Sequence, residues 1–184
     1  MYLLGLDIGS SSIKAAIIDA DSGNSVASSY HPKQEMPISS EEPGFAEQSP
    51  EMWWDYSKLA IREAVKNASI AKDQIKAIGI TYQMHGLVVV DRDHEVLRPA
   101  IIWCDSRASG IGDKAFEDMG KERCLSSLLN SPGNFTASKL KWVKDNQPGI
   151  YEKIHKIMLP GDYIAMKLTG AIHTTSSGLS EGIM

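Results

Sequence analysis

Apolar positions near the start of the chain fall into two short alternating runs separated by a turn. Residues 2–7, Tyr2-Leu3-Leu4-Gly5-Leu6-Asp7, end in a carboxylate, and residues 12–19 resume with Ile13, Ala15 and Ile17 at every second place, the period of a half-buried strand. Together they predict strand, tight turn, strand. Asp21, Ser22, Gly23 and Asn24 are a cluster of turn formers, so residues 25–30 extend the pair into a three-strand meander. Residues 31–50 carry Pro32, Pro37, Pro43, Gly44 and Pro50 and predict little regular structure. Ser49-Pro50-Glu51 then reads as a helix start with proline at the first helical position. From residue 50 to about 68, Trp53, Tyr56, Ala60, Ile61, Ala64, Val65 and Ala68 recur near helical spacing and predict one apolar face. Residues 75–81 read as a buried strand and 87–90 as another. Beyond Pro99 the pattern turns helical over 106–119, 121–129, 136–145 and 160–168, with a short strand at 156–159. Strands followed by helices predict an α/β fold, without internal repeats or low-complexity segments.

Composition narrows the partners. At 184 residues the chain holds one domain or part of something larger, and 19 Lys plus Arg against 23 Asp plus Glu give a formal charge of −4. No basic block is present to release counterions from a phosphate backbone, so nucleic acid is not expected as a partner. Apolar runs such as residues 15–18 and 87–90 fall far short of the roughly 20 residues that a bilayer requires, so no membrane partner is expected. The start lacks a cationic leader and meets a carboxylate at Asp7, which reads as cytoplasmic. Cys104 and Cys124 have no metal-ligand spacing and read as reduced bystanders. A homodimer is allowed by the sequence but not required by it.

Four segments could carry chemistry. In residues 7–14, Asp7-Ile8-Gly9-Ser10-Ser11-Ser12-Ile13-Lys14, a strand delivers a carboxylate into a glycine turn with three hydroxyls. Such a turn suits a polyphosphate, because successive N–H groups form a concave nest, serine hydroxyls donate to phosphate oxygens and Asp7 can hold Mg²⁺ through its water. The same residues also suit an ordinary hairpin turn, and neither a Walker loop nor Gly-x-Gly-x-x-Gly is present. In residues 81–87, Gln83, Met84, His85 and Gly86 place amide, thioether and imidazole groups in a turn between apolar strands. That set suits a hydroxyl-rich ligand, although a plain hairpin with a solvent-facing His85 would look alike. Nothing nearby in sequence orients His85 as a base, so it reads as a substrate contact. Residues 98–107 run into Trp103, Asp105 and Arg107: an indole can support the C–H face of a sugar and a carboxylate can accept from its hydroxyls, while a core Trp103 and a helix-capping Asp105 are the plainer assignment. The fourth segment, residues 133–142, is a loop with Asn134 entering a helix whose Leu140 and Val143 face inward, and Trp142 reads as helix packing.

Taken in order, these blocks resemble the FGGY carbohydrate kinases and, within them, the xylulokinases. The similarity is carried by residues 5–15, 46–54, 83–87, 97–103, 135–142 and 159–163 and runs over the whole chain. It implies a ribonuclease-H-like, actin-type ATPase fold, with a mixed sheet and flanking helices, in a kinase of two such domains that brings ATP and sugar together. The implied reaction moves the γ-phosphoryl group of Mg·ATP to the terminal primary hydroxyl of D-xylulose. Matched by position, Asp7 is the carboxylate near Mg²⁺ and the transferring phosphate, and Gly9, Ser10, Ser11 and Ser12, with Lys14, belong to the first phosphate-binding loop. Met84 and His85 match the sugar-contacting pair, and Gln83, Trp103, Asp105 and Asn134 would lie around the same pocket.

The resemblance also implies what is missing. Members run to about five hundred residues, with the general base, the second phosphate loop and the adenosine site in later sequence, so residues 1–184 read as an incomplete N-terminal kinase domain with little or no activity alone. The family's usual Thr-Asp-x-Ser-x-Ala-Ser stretch is here Thr174-Thr175-Ser176-Ser177-Gly178-Leu179-Ser180. A kinase for gluconate, ribulose or glycerol, an actin-like nucleotidase and a noncatalytic binding module stay open. The first shares the phosphate turn; the nucleotidase has no use for residues 84–86 and Trp103.

Overall fold

The computed structural model describes residues 1–184. In chain order the elements are β1 (Tyr2–Ile8), β2 (Ile13–Asp19), β3 (Ser25–His31), β4 (Glu47–Gln48), α1 (Pro50–Ala68), a 3-10 turn (Lys72–Gln74), β5 (Ile75–Tyr82), β6 (Val88–Val90) and β7 (Ala100–Ile101). There follow α2 (Ser109–Met119), α3 (Lys121–Ser127), α4 (Thr136–Asn146), α5 (Pro148–Tyr151), β8 (Lys156–Met158), α6 (Pro160–Thr169) and α7 (Ser176–Gly182). They divide into two compact units, one of Met1–Pro37 with Glu51–Gln83 and one of Ile38–Pro50 with Met84–Met184. No helix is long and apolar enough to cross a membrane.

The first unit is a mixed sheet in the order β3-β2-β1-β5, antiparallel through the meander and parallel where α1 returns the chain beside β1. Alternation in the strands decides which face is covered. Leu4, Leu6 and Ile8 of β1 and Ile13, Ala15 and Ile17 of β2 are all buried on one face. Against that face α1 buries Trp53, Ser57, Ala60 and Ala64, a stripe one helical turn apart. Ser29 of β3 donates its hydroxyl to the Ala60 carbonyl at 2.6 Å, and His31 Nε2 lies 2.6 Å from Glu63 Oε2, tying the outer strand to the helix. On the other face the register puts Gly5, Ala16, Ser28 and Gly79 in one row across four strands. With Asp7, Lys14, Tyr30 and Thr81 they line a shallow depression of about 630 Å³.

Residues 75–81 form a strand, but not a buried one. β5 is an edge of the sheet, hydrogen-bonded to β1 on one side, and Ile78 is 45% exposed. An apolar run reports that a segment extends; whether it is buried depends on a neighbour on each side, and β5 has one.

The second unit is built on short pairings. β4 pairs with β7, β6 with β8, and an antiparallel bridge joins Leu87 to Ile101. Leu87, Val89, Ile101 and Val143 form its buried centre, with Leu140, Trp142 and Tyr151 packed partly against them. The Leu87–Ile101 bridge has a consequence for chemistry: the turn before Leu87 and the loop after Ile101 leave the same end of a paired segment.

Candidate functional site

The sequence-selected residues fall into two groups, one in each unit. In the first unit, β1 and β2 are joined by residues 9–12, and the register places Asp7 directly across from Lys14. Lys14 Nζ donates to Asp7 Oδ2 at 3.1 Å, and both side chains are substantially exposed. A Cβ on Gly9 would sit 2.9 Å from the Ser12 carbonyl oxygen, so the turn is closed too tightly for a side chain at this position. The Ser11 carbonyl accepts from the Met36 N–H at 2.9 Å, which pins the far side of the turn. Gln83 joins this group through its own N–H, which donates to the Ile8 carbonyl at 2.9 Å. The result is an accessible main-chain turn with three hydroxyls, one carboxylate and one ammonium, a set that can bind an anion and a hydrated cation.

The second group gathers around His85. β5 and β6 belong to different sheets, so residues 83–87 are not a hairpin between paired strands. Instead the turn bends at His85, a non-glycine residue at φ 60°, the left-handed region that side chains avoid. Its partners hold it there. The Glu181 carboxylate accepts from the His85 backbone N–H. The same oxygen lies 2.7 Å from His85 Nδ1, off the line of a well-aligned hydrogen bond, and Nδ1 and Glu181 Oε2 are otherwise buried without partners. The His85 carbonyl accepts from Lys139 Nζ at 2.7 Å, and Phe135 packs edge-on against the imidazole with ring centroids 4.1 Å apart. Gly86 follows because a Cβ there would meet Pro160 Cγ at 2.6 Å, while its carbonyl accepts from the Thr136 hydroxyl.

Lys139 is the buried hinge of this region. Besides the His85 carbonyl it donates to the Ile102 carbonyl at 2.9 Å, so one fully buried ammonium clips residues 84–86 to the loop that carries Trp103 and Asp105. Burial pushes its pKa down to about 8, against the charges of Asp105, Cys104 and Glu181, which favour the cation. Asp162, capping the start of α6, is displaced the other way. Burial raises it, donations from the Leu159 N–H and Thr174 lower it, and the Glu181 charge adds to the rise.

Around this hinge the expected residues divide. Met84 and Trp103 are about half exposed, at 55% and 50%, and Trp103 is not a core residue. Asn134 stands beside Phe135 at the entry to α4, with Oδ1 buried and without a partner. Asp105 is fully buried and does not cap α2, which starts at Ser109 with Ala108 before it. Its carboxylate accepts from the Ala46 N–H at 2.6 Å and the Arg107 N–H at 2.9 Å, and Arg107 Nη2 lies 2.7 Å from Oδ2. The bond to the Arg107 N–H is an Asx turn that keeps residues 105–107 out of the helix expected from residue 106. Arg107 also reaches Glu47 at 2.7 Å and lies against both the Phe45 and Trp142 rings, 3.6 and 4.8 Å from their centroids. Arg98 completes the network with Glu47 and with Gln147 Oε1 at 2.7 Å. Its pKa is lowered by burial, opposed by the Glu47 charge.

Sequence reasoning missed Glu181, Lys139 and the network role of Arg107. Lys139 left a signal: it sits four residues before Val143 on the helix face expected to point inward, where a lysine must find internal acceptors. Glu181 left none, lying 96 residues from His85.

Comparison with known proteins gives this arrangement a family. The chain is 35% identical to a xylulose kinase of Staphylococcus xylosus over all of its own length and 37% of that protein. Among solved structures, a xyloylose kinase from Brucella ovis superposes with a TM-score of 0.87 at 33% identity over 99% of the chain and 36% of its own. A gluconate kinase from Lactobacillus acidophilus gives 0.86 at 25%, over 98% and 36%. The fold is therefore the ribonuclease-H-like, actin-type fold of these kinases, and the chain spans about a third of the length of the relatives it matches. Residues 2–184 match the N-terminal domain of one family along their whole extent, and the chain belongs to that family, the FGGY family of carbohydrate kinases.

Proposed function

We propose that the chain is the N-terminal part of an ATP-dependent kinase acting on D-xylulose, with residues 1–184 an incomplete first kinase domain that does not turn over alone. The observation that carries the sugar reading is the His85 turn. An imidazole is held in an unfavourable backbone conformation by a partly buried carboxylate and a buried ammonium, beside half-exposed Met84 and Trp103. Strain of this kind persists where the surroundings over-determine it, as at ligand-binding positions. In this reading His85 and Asn134 hydrogen-bond sugar hydroxyls, and Met84 and Trp103 cover its C–H surface. Asp105 supports the loop that carries Trp103 and does not reach the sugar, because its oxygens are already taken by Arg107 and the Ala46 N–H.

The turn of Gly9, Ser10, Ser11 and Ser12 binds phosphate oxygens through N–H and hydroxyl groups, with Lys14 adding positive charge. Asp7 fits Mg²⁺ as a single accessible carboxylate, since that ion keeps most of its waters and leans on phosphate oxygens rather than on a protein cage. No group of three or more acidic, His or Cys ligands exists to form such a cage. When bound, the ion would neutralise phosphate charge. Phosphoryl transfer asks the protein chiefly for positioning and charge stabilisation, and these residues supply part of each.

Gluconate is the alternative substrate, favoured by the likeness to a gluconate kinase structure. Coupled ADP release by the complete reading frame, offered D-xylulose, D-ribulose, D-gluconate and glycerol, tests both. Turnover chiefly on D-xylulose, with none from residues 1–184 alone, is the expected result. Preference for another sugar would overturn the assignment of the His85 turn, and sugar-independent hydrolysis would overturn the kinase reading.

A further inference from the structure

The grip on His85 specifies more than its position. At 2.7 Å a carboxylate oxygen of Glu181 beside His85 Nδ1 favours a proton over a lone pair on that nitrogen. The backbone N–H of the same residue is taken by the same carboxylate, and its carbonyl by Lys139. One side chain thus bonds the backbone and lies 2.7 Å from the ring of a residue that is strained at φ 60°. Buried Glu181 Oε2 and Asn134 Oδ1 lack partners in this cluster, and buried acceptors without donors are rare unless something else supplies the donor.

We infer that Glu181 is the positioning residue of this turn: it fixes His85 as the Nδ1–H tautomer, so that Nε2 is a hydrogen-bond acceptor for a ligand hydroxyl. The inference rests on the sugar-binding reading for the identity of the ligand, but not for the tautomer. A neutral imidazole with its proton on Nδ1 cannot donate from Nε2; it therefore selects a hydroxyl that donates to it, whereas the opposite tautomer or the imidazolium would select an acceptor. Lys139 and Phe135 complete the hold from the carbonyl and the ring face.

Imidazole ¹⁵N spectra of the 184-residue chain, labelled at histidine and recorded from pH 6 to 9, read the tautomer directly, with His85→Asn identifying the resonances. In the unaltered chain Nδ1 is expected to carry the proton and Nε2 to be bare. Glu181→Ala should move the proton to Nε2. Glu181→Gln, which keeps the shape, should lower the Nδ1–H population with an unchanged circular dichroism spectrum, so a fold defect in the alanine variant would not hide the answer. The same tautomer in all three chains, or an imidazolium throughout, overturns the inference. D-xylulose is then titrated into the same samples. A shift at Nε2 that needs about tenfold more sugar in the Glu181 variants supports the positioning role. A sugar shift undiminished by the substitutions overturns it. A tautomer that follows Glu181 while no sugar moves Nε2 supports the positioning role and counts against the D-xylulose reading alone.

Discussion

The turn at residues 9–12 and the turn at residues 84–86 solve different problems with different materials. The first rests on main chain: two paired strands, a glycine that admits close approach and one exposed ion pair. The second rests on buried charge, with Lys139, Asp105 and Arg107 committed to internal partners and partly buried Glu181 bonded to the His85 N–H. An anion can be met by any concave array of N–H groups, whereas a set of hydroxyls must be met by particular donors and acceptors in fixed places. Rigid support follows the need for direction.

The largest effect expected from breaking this contrast is at Arg107. Arg107→Ala removes the guanidinium paired with the fully buried Asp105 carboxylate, which costs about 3–5 kcal/mol. A urea midpoint that barely moves would remove the buried network from the comparison. Next is Lys139→Met, which orphans the carbonyls of His85 and Ile102 at about 1–3 kcal/mol each. The lysine also has a pH signature. Its pKa falls from 10.5 in the unfolded chain to about 8 in the folded one, so between these values the unfolded chain binds more protons and stability rises with pH. The rise amounts to about 3 kcal/mol, is lost in Lys139→Met and should therefore appear as the difference between the unaltered chain and that variant, measured by urea unfolding from pH 7.5 to 10.5.

On the other side of the comparison the effects on stability shrink. Gly9→Ala brings a Cβ to 2.9 Å from the Ser12 oxygen and forces a local shift of about 1 kcal/mol, with KM for ATP of the complete enzyme raised about tenfold. Lys14→Met removes only an exposed ion pair and should change stability by less than about 0.5 kcal/mol. Its effect should appear instead as a several-fold rise in KM for ATP, and a stability loss as large as that of Lys139→Met would erase the distinction between the two turns.

How far this was legible in the sequence follows the range of the forces involved. The meander and α1 were readable because alternation, turn formers and Ser49-Pro50 are local; α1 runs from Pro50 to Ala68, as the spacing predicts. The two-residue strands β4 and β7 and the short α5 and α7 carry too few residues for a period. Asp105 looked like a cap or a sugar ligand because its partner at Ala46 is 59 residues away. Glu181 and His85 are farther apart still. The turn proposed to bind phosphate, by contrast, lies within eight consecutive residues, and the sequence alone displays its groups.

β5 carries one more consequence. Its outer side has no neighbouring strand along residues 76–81, a segment of high strand propensity with Ile78 turned to water. Lys76 is the single charge in that stretch, a residue type that disfavours pairing between like strands. At the high concentrations that spectroscopy demands, the shelf life of the 184-residue chain is set at this edge, far in character from either turn, and by how well one lysine keeps like strands apart.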